Sequence, residues 1–449
     1  MANTDLTRTT GTPTNVDKFT ISVWVKRANI GINASIIGNR ADGNNRSEFS
    51  FRTDDTLRWE HVDGGSNVFY FQTNRKFRDT NAWYHIVFGY DSSQGTSSNR
   101  WKLYINGVQE TSFSASMYPA QNANSRLNVS GQAVRIGSRG DGNEAFDGSM
   151  SHFHFIDGTQ YAASDFGSTD STTGEWKINT SPSVTYGNNG FFVLKDGNSL
   201  TDQSPNTNNF TLNGGTLTKT EDNPSNVFAT WSPLHTSQQS ISNVVYKNGN
   251  TTFDNNETSS SVYPQVYSTL AASSGKYYFE SKLIASNGNN ASKIGISGAV
   301  TTETYAGQNA YTYVYRENGT AQNNDTNAAT YTSYGVNDII QTAVDLDNNK
   351  LYFGINGTWQ NSGDPTSGST GTGAIFTITA PSSTPHGVYH FTLGDTSSSG
   401  TFEHSTNFGN GYFGTTAVSS AGTNASGNGI FEYDVPAGYT ALSTKGLNL

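Results

Sequence analysis

The 449-residue chain contains no cysteine. That excludes disulfides, iron–sulfur clusters, thiolate zinc sites and a cysteine nucleophile. Charged residues are scarce, at 14%, and the 26 basic against 36 acidic residues leave a formal charge of −10 with no Lys/Arg run. Phosphate binding needs a basic patch, so neither a nucleic-acid partner nor an anionic membrane is expected. Hydrophobic residues make up only 33%. No apolar run is long enough for a signal peptide or a membrane span, so synthesis in a host cytoplasm and release by lysis are expected. Heptad, collagen-like and β-helix repeats are missing too, and with them any fibre shaft. Docking by a sheet face is expected instead.

Glycine (47 residues) and aromatics (12%) are abundant. Each buried ring removes about 150–250 Å² from water, so few residues can still build a core. Apolar residues alternate. Phe19, Ile21, Val23 and Val25 fall on one face, which is the pattern of a half-buried strand. The same reading predicts strands over 83–88, 102–108, 134–137 and 150–156, and a closing strand at 210–212. In the second half it predicts strands over 276–280, 293–297, 339–345, 351–357 and 389–393. Asn106-Gly107 and Asn356-Gly357 each end an aromatic strand, and both residue types accept the positive φ of a tight hairpin turn. Short strands with frequent turn signals make an all-β protein of sandwiches or barrels. The length suggests two domains of roughly 200 residues each.

Four segments give the first half a family likeness. They are Phe19-Thr20-Ile21-Ser22-Val23-Trp24, Trp83-Tyr84-His85-Ile86-Val87, Leu103-Tyr104-Ile105-Asn106-Gly107-Val108 and Phe146-Asp147-Gly148-Ser149-Met150-Ser151-His152-Phe153. In this order they resemble the concanavalin A-like laminin-G family. The second half resembles a SPRY domain through Ser274-Gly275-Lys276-Tyr277-Tyr278-Phe279-Glu280, Ile294-Gly295-Ile296-Ser297, Ala343-Val344-Asp345-Leu346-Asp347, Asn356-Gly357-Thr358-Trp359 and Asn407-Phe408-Gly409-Asn410. The usual Gly-Asp before the Ala-Val-Asp strand is Asn337-Asp338 here. The resemblance implies two tandem antiparallel β-sandwiches: a laminin-G jelly roll over 1–220, a linker at 221–240 and a SPRY sandwich over 241–449.

The tandem order and the connector through Trp176 and Phe228-Ala229-Thr230-Trp231-Ser232-Pro233-Leu234 resemble virion proteins of tailed bacteriophages of aquatic bacteria. So does the tail, Pro436-Ala437-Gly438-Tyr439. That likeness implies a non-enzymatic capsid-decoration or tail-fibre component on the virion surface. Its partners would be other capsid or tail proteins and host cell-surface glycans, met through rim loops. It would assemble as a homo-oligomer, with a trimer as the working guess. A secreted bacterial glycan-binding module and a glycan depolymerase are the alternatives.

Candidate chemistry is sparse. Hydrolases of the concanavalin-like fold carry Glu-x-Asp-x-x-Glu on one strand, and the nearest match, Glu432-Tyr433-Asp434, lacks the third acid. His152 and His154 share a strand face that alternation puts toward solvent, with Phe153 and Phe155 inward. Asp141, Asn143 and Glu144 offer oxygen ligands suited to Ca²⁺, although the same residues also favour turns. Tyr311, Tyr313 and Tyr315 alternate along one strand and could stack on sugar rings; the competing reading places them on a core face.

Overall fold

The alternation from Phe19 to Val25 is realised as the strand Lys18–Arg27, whose inward side chains seed the first core. The structure is a computed structural model describing residues 4–195, 199–236, 243–258, 263–300, 304–395 and 400–448. Among these, the helical pieces are short 3-10 turns and the remaining regular structure is strand. The chain divides into two compact units, Met1–Lys219 and Thr220–Leu449.

In the first unit an eight-stranded antiparallel sheet faces a six-stranded one. The larger sheet runs Phe113–Met117, Ser66–Lys76, Thr56–Asp63, Asn45–Phe51, Ala34–Asp42, Ala133–Ile136, Asp5–Thr9 and Thr211–Asn213. The smaller runs Phe191–Val193, Gly148–Asp157, Lys18–Arg27, Trp83–Asp91, Trp101–Ile105 and Val108–Glu110. Between them lies an aromatic core. Phe19 has ring centroids at 5.9 Å from Trp59, 5.7 Å from Phe88, 5.1 Å from Tyr90 and 5.7 Å from Phe155. Each such pair is worth about 0.5–1.5 kcal/mol beyond its area.

The second unit repeats the principle with a seven-stranded sheet and a nine-stranded one. Phe279 centres its core, 4.1 Å from Phe391 and 5.7 Å from Phe408. The stretch expected as a linker is built into this unit. Trp231–Thr236 pairs with Gln265–Ala272, and Trp231 is fully buried, with Nε1 donating to Thr406 Oγ1 at 3.1 Å. A buried indole with a hydrogen-bonded nitrogen belongs to a core. Residues 237–242, spanning the expected end of the linker, lie outside the described residues.

Both Asn-Gly hairpins form as expected, with positive φ at Asn106, Gly107, Asn356 and Gly357. Each asparagine also braces the neighbouring strand. Asn106 Oδ1 accepts from His85 N at 2.8 Å, and Asn356 Oδ1 accepts from Ile339 N at 2.9 Å.

Charge divides unevenly. The first unit holds 19 basic and 20 acidic residues, the second 7 basic and 16 acidic. The second unit therefore holds −9 of the net charge of −10.

Candidate ligand-contacting rim

One sheet of each unit has its outer face covered by the chain itself. In the first unit, residues 158–186 lie over the six-stranded sheet. Trp176 Nε1 donates to His85 Nδ1 at 2.9 Å, and Tyr186 OH lies 2.9 Å from His154 Nδ1. His154 is buried and stacks on Phe192 at 3.9 Å, so the expected solvent side of that strand is a second, smaller core. Phe153 and Phe155 point inward as expected. Burial lowers the pKa of His85 to about 3 and holds that of His154 well below the usual value.

In the second unit, residues 409–439 cover the nine-stranded sheet around Tyr278 and Tyr352. The fully buried Glu280 accepts from Glu432 N and Tyr433 N, both at 2.8 Å. Glu432 and Asp434 are themselves engaged with the backbone nitrogens of Ser419 (2.7 Å) and Thr423 (2.6 Å). The acids nearest to a hydrolase spacing thus act in the fold.

The tyrosine alternation is real, but the face is the inner one. Tyr313 and Tyr315 belong to the core: Tyr313 OH is 3.1 Å from Thr379 Oγ1, and Tyr315 stacks on Phe353 at 5.3 Å. Tyr311 is partly buried, just before the strand Thr312–Arg316. The strand lies inside the seven-stranded sheet, so its apolar face turns to the core and leaves no ring of Tyr313 or Tyr315 for a sugar.

The loop carrying Asp141, Asn143 and Glu144 folds around Arg139. The guanidinium meets Asp141 with Nε at 2.9 Å and Nη2 at 2.8 Å, and Glu144 with Nη1 at 2.8 Å. These bonds hold the Asp141 carboxyl well below the usual carboxylate range. Asn143 contributes its backbone N–H to Asp141 at 3.1 Å. A calcium ion would have to displace a bidentate arginine, so this donor set does not fit one. Among the described residues no cluster of three or more acidic or histidine side chains could hold a metal.

The rims remain open, and one of them carries an exposed ring. Tyr118 follows the edge strand Phe113–Met117 and is 37% exposed, the one aromatic among the exposed large hydrophobic side chains of the described residues. Its ring stacks on the buried Trp101, with centroids 4.7 Å apart and planes 26° apart. Phe113 meets Trp101 edge-on at 5.2 Å. With one face on Trp101, the exposed area of Tyr118 lies on the other face and the edge.

The loops beside it, 92–100 and 118–124, are knitted together. Arg100 donates from Nε to Gln94 O at 2.9 Å, from Nη1 to Pro119 O at 2.8 Å and from Nη2 to Gly95 O at 3.3 Å. Gln121 Nε2 donates to Ser93 O at 3.1 Å, and Asn122 N to Ser92 O at 3.0 Å. Burial pushes the Asp91 carboxyl up, but bonds from Ser93 and Gln94 and the charge of Lys18 bring it below its ordinary pKa. Sequence reading missed this rim. The available signal was an aromatic directly before proline, out of phase with the alternating Phe113, Ala115 and Met117 of the strand it follows.

Comparison with known proteins bears on the first unit most directly. Residues 2–164 match the family model of the concanavalin A-like lectin/glucanases superfamily. No curated protein matches the chain in sequence. Among solved structures, the SPRY domain of human HERC1 is similar at 16% identity and a TM-score of 0.31, over 39% of this chain and 96% of that one. A Bacteroides ovatus protein described as carbohydrate-binding is similar at 16% identity and a TM-score of 0.33, over 48% of this chain and 59% of that one. The heptameric SAP-like pentraxin of Limulus polyphemus is similar at 19% identity and a TM-score of 0.26, over 34% and 70%.

Proposed function

We propose that the chain is a non-enzymatic glycan-binding protein of a virion surface, and that the Tyr118 rim of its first unit meets the glycan. The exposed Tyr118 ring on its Trp101 base carries this reading. An aromatic face packs against the C–H face of a pyranose, while nearby amides and hydroxyls exchange hydrogen bonds with sugar hydroxyls. The loops that offer them are fixed by Arg100, so little ordering entropy opposes binding. Recognition on loops held by rigid sheets is the common arrangement in such folds.

The virion assignment is supported by the tandem order of the two sandwiches and by the phage-like connector around Trp176 and Trp231. In that setting the chain is a capsid or tail component made in a host cytoplasm. A homo-oligomer, with a trimer as the simplest case, would present several rims at once. Linked weak sites gain about 10²–10⁴ in avidity, which suits a single-ring site. Binding of the full chain to immobilised host polysaccharides tests the glycan reading, and antibody labelling of intact particles tests the location. Unlabelled particles would overturn the virion reading, and no retention on any polysaccharide would overturn the glycan reading.

A further inference from the structure

We infer that the Tyr118 rim selects uncharged glycans and does so without calcium; this rests on the glycan reading above. The rim carries little charge. In loops 92–100 and 118–124 the single charged residue is Arg100. Each of its three nitrogens bonds a backbone carbonyl, which ties the guanidinium to the loops and leaves only one N–H on each Nη for a carboxylate or sulfate. Asp91, at the foot of the first loop, is 5% exposed and accepts from Ser93 N at 3.1 Å, Ser93 Oγ at 2.5 Å and Gln94 Nε2 at 2.7 Å, with Lys18 Nζ at 3.4 Å. No acid of these loops is left to coordinate a cation.

What the rim does expose is amide and hydroxyl: Thr96, Ser97, Asn99, Gln121 and Asn122. Such groups pair with sugar hydroxyls as both donors and acceptors, and give no preference to an anion. The first unit as a whole is nearly neutral, with 19 basic and 20 acidic residues, so it produces no long-range pull on a polyanion. The loop 137–147 of the same unit differs sharply, since Arg139, Asp141, Glu144 and Asp147 fall within it.

The test uses the full chain on surfaces coated with dextran, galactomannan, alginate or dextran sulfate, with and without EDTA. We expect binding to a neutral polymer that changes less than about twofold between about 0.05 M and about 0.5 M NaCl. EDTA leaves it unchanged, and Tyr118→Ala weakens it at least about tenfold. Binding confined to alginate or dextran sulfate, weakened by salt and abolished in Tyr118→Ala, overturns the neutral class while leaving the rim as the site. Loss of binding in EDTA overturns calcium independence. Binding that Tyr118→Ala does not alter, or none at all, overturns the rim reading and this inference with it.

Discussion

Trp176 Nε1 donates to His85 Nδ1 at 2.9 Å, and this bond fixes the histidine tautomer. With Nδ1 accepting, Nε2 carries the proton and faces Ser22 Oγ at 2.9 Å. Trp24 stacks on the His85 ring at 4.7 Å, and Trp176 meets the edge of that ring through the hydrogen bond, with centroids 6.0 Å apart. Trp176 also lies over the Asn106–Gly107 turn, where a Cβ on Gly107 would come within 2.3 Å of the indole.

Gly107→Ala should therefore cost more than its backbone. Gly31 has a similar φ of +73° against +80° at Gly107, but open space where a Cβ would stand. Gly31→Ala should cost about 1 kcal/mol for conformation alone, and Gly107→Ala about 2–4 kcal/mol with the overpacking. Urea titration of the two variants separates the terms. Equal losses would mean that the Trp176 hairpin yields freely.

The first unit should be the acid-labile one. Burial lowers His61 to about 4 and His85 to about 3, and holds His154 well below its ordinary value. A depressed histidine contributes stability that is present above the unfolded value of about 6.5 and is lost as pH falls below it. Each removes up to about 1.4 kcal/mol per pH unit there. In the second unit, His404, lowered to about 3, is opposed by Glu280, raised to about 7. Calorimetry at pH 7.5 and pH 5.5 should show the transition of the first unit falling further; a larger fall in the second would refute the balance.

Glu280→Gln should loosen the segment over the nine-stranded sheet. Oε2 accepts from Glu432 N and Oε1 from Tyr433 N and Tyr278 OH, each at 2.8 Å. A glutamine must turn an amide nitrogen toward one of these donors, costing about 1–3 kcal/mol for an unmet buried group. Burial also raises the Glu280 pKa to about 7. Its stabilising contribution is thus complete below about 4.5 and declines as pH rises through 7. Urea unfolding at pH 6 and pH 8 should show both the loss in the variant and the disappearance of this slope. A variant as stable as the parent would mean that the segment is held by its rings alone.

Much of the fold was legible because alternation survives wherever one face is buried. The strands Lys18–Arg27, Trp83–Asp91, Gly148–Asp157 and Ile339–Asp345 stand where the pattern put them. Four strands of the large sheet, from Ala34 to Lys76, escaped notice because their outer positions are charged. Arg40 pairs with Glu48 at 2.8 Å and Arg46 with Glu60 at 2.8 Å, diluting an inner pattern of Phe49, Phe51, Leu57 and Trp59. The Asn-Gly turns were legible from local chemistry. The covering segments were not, since Trp176 and Tyr186 pack on residues distant in sequence. The candidate site was the least legible part. Tyr313 and Tyr315 showed a pattern, and pattern marks a core. Tyr118 shows none, and exposure of a ring leaves no periodic trace.

The most direct test compares Tyr118→Ala with Val108→Ala in their affinity for the polysaccharide that the parent chain binds. Val108 is 67% exposed at the Asn106–Gly107 hairpin and serves as the control for losing surface apolar area. The account predicts that Tyr118→Ala binds at least about tenfold more weakly while Val108→Ala binds as the parent does. Equal affinities for parent and Tyr118→Ala, with both folded, would contradict it.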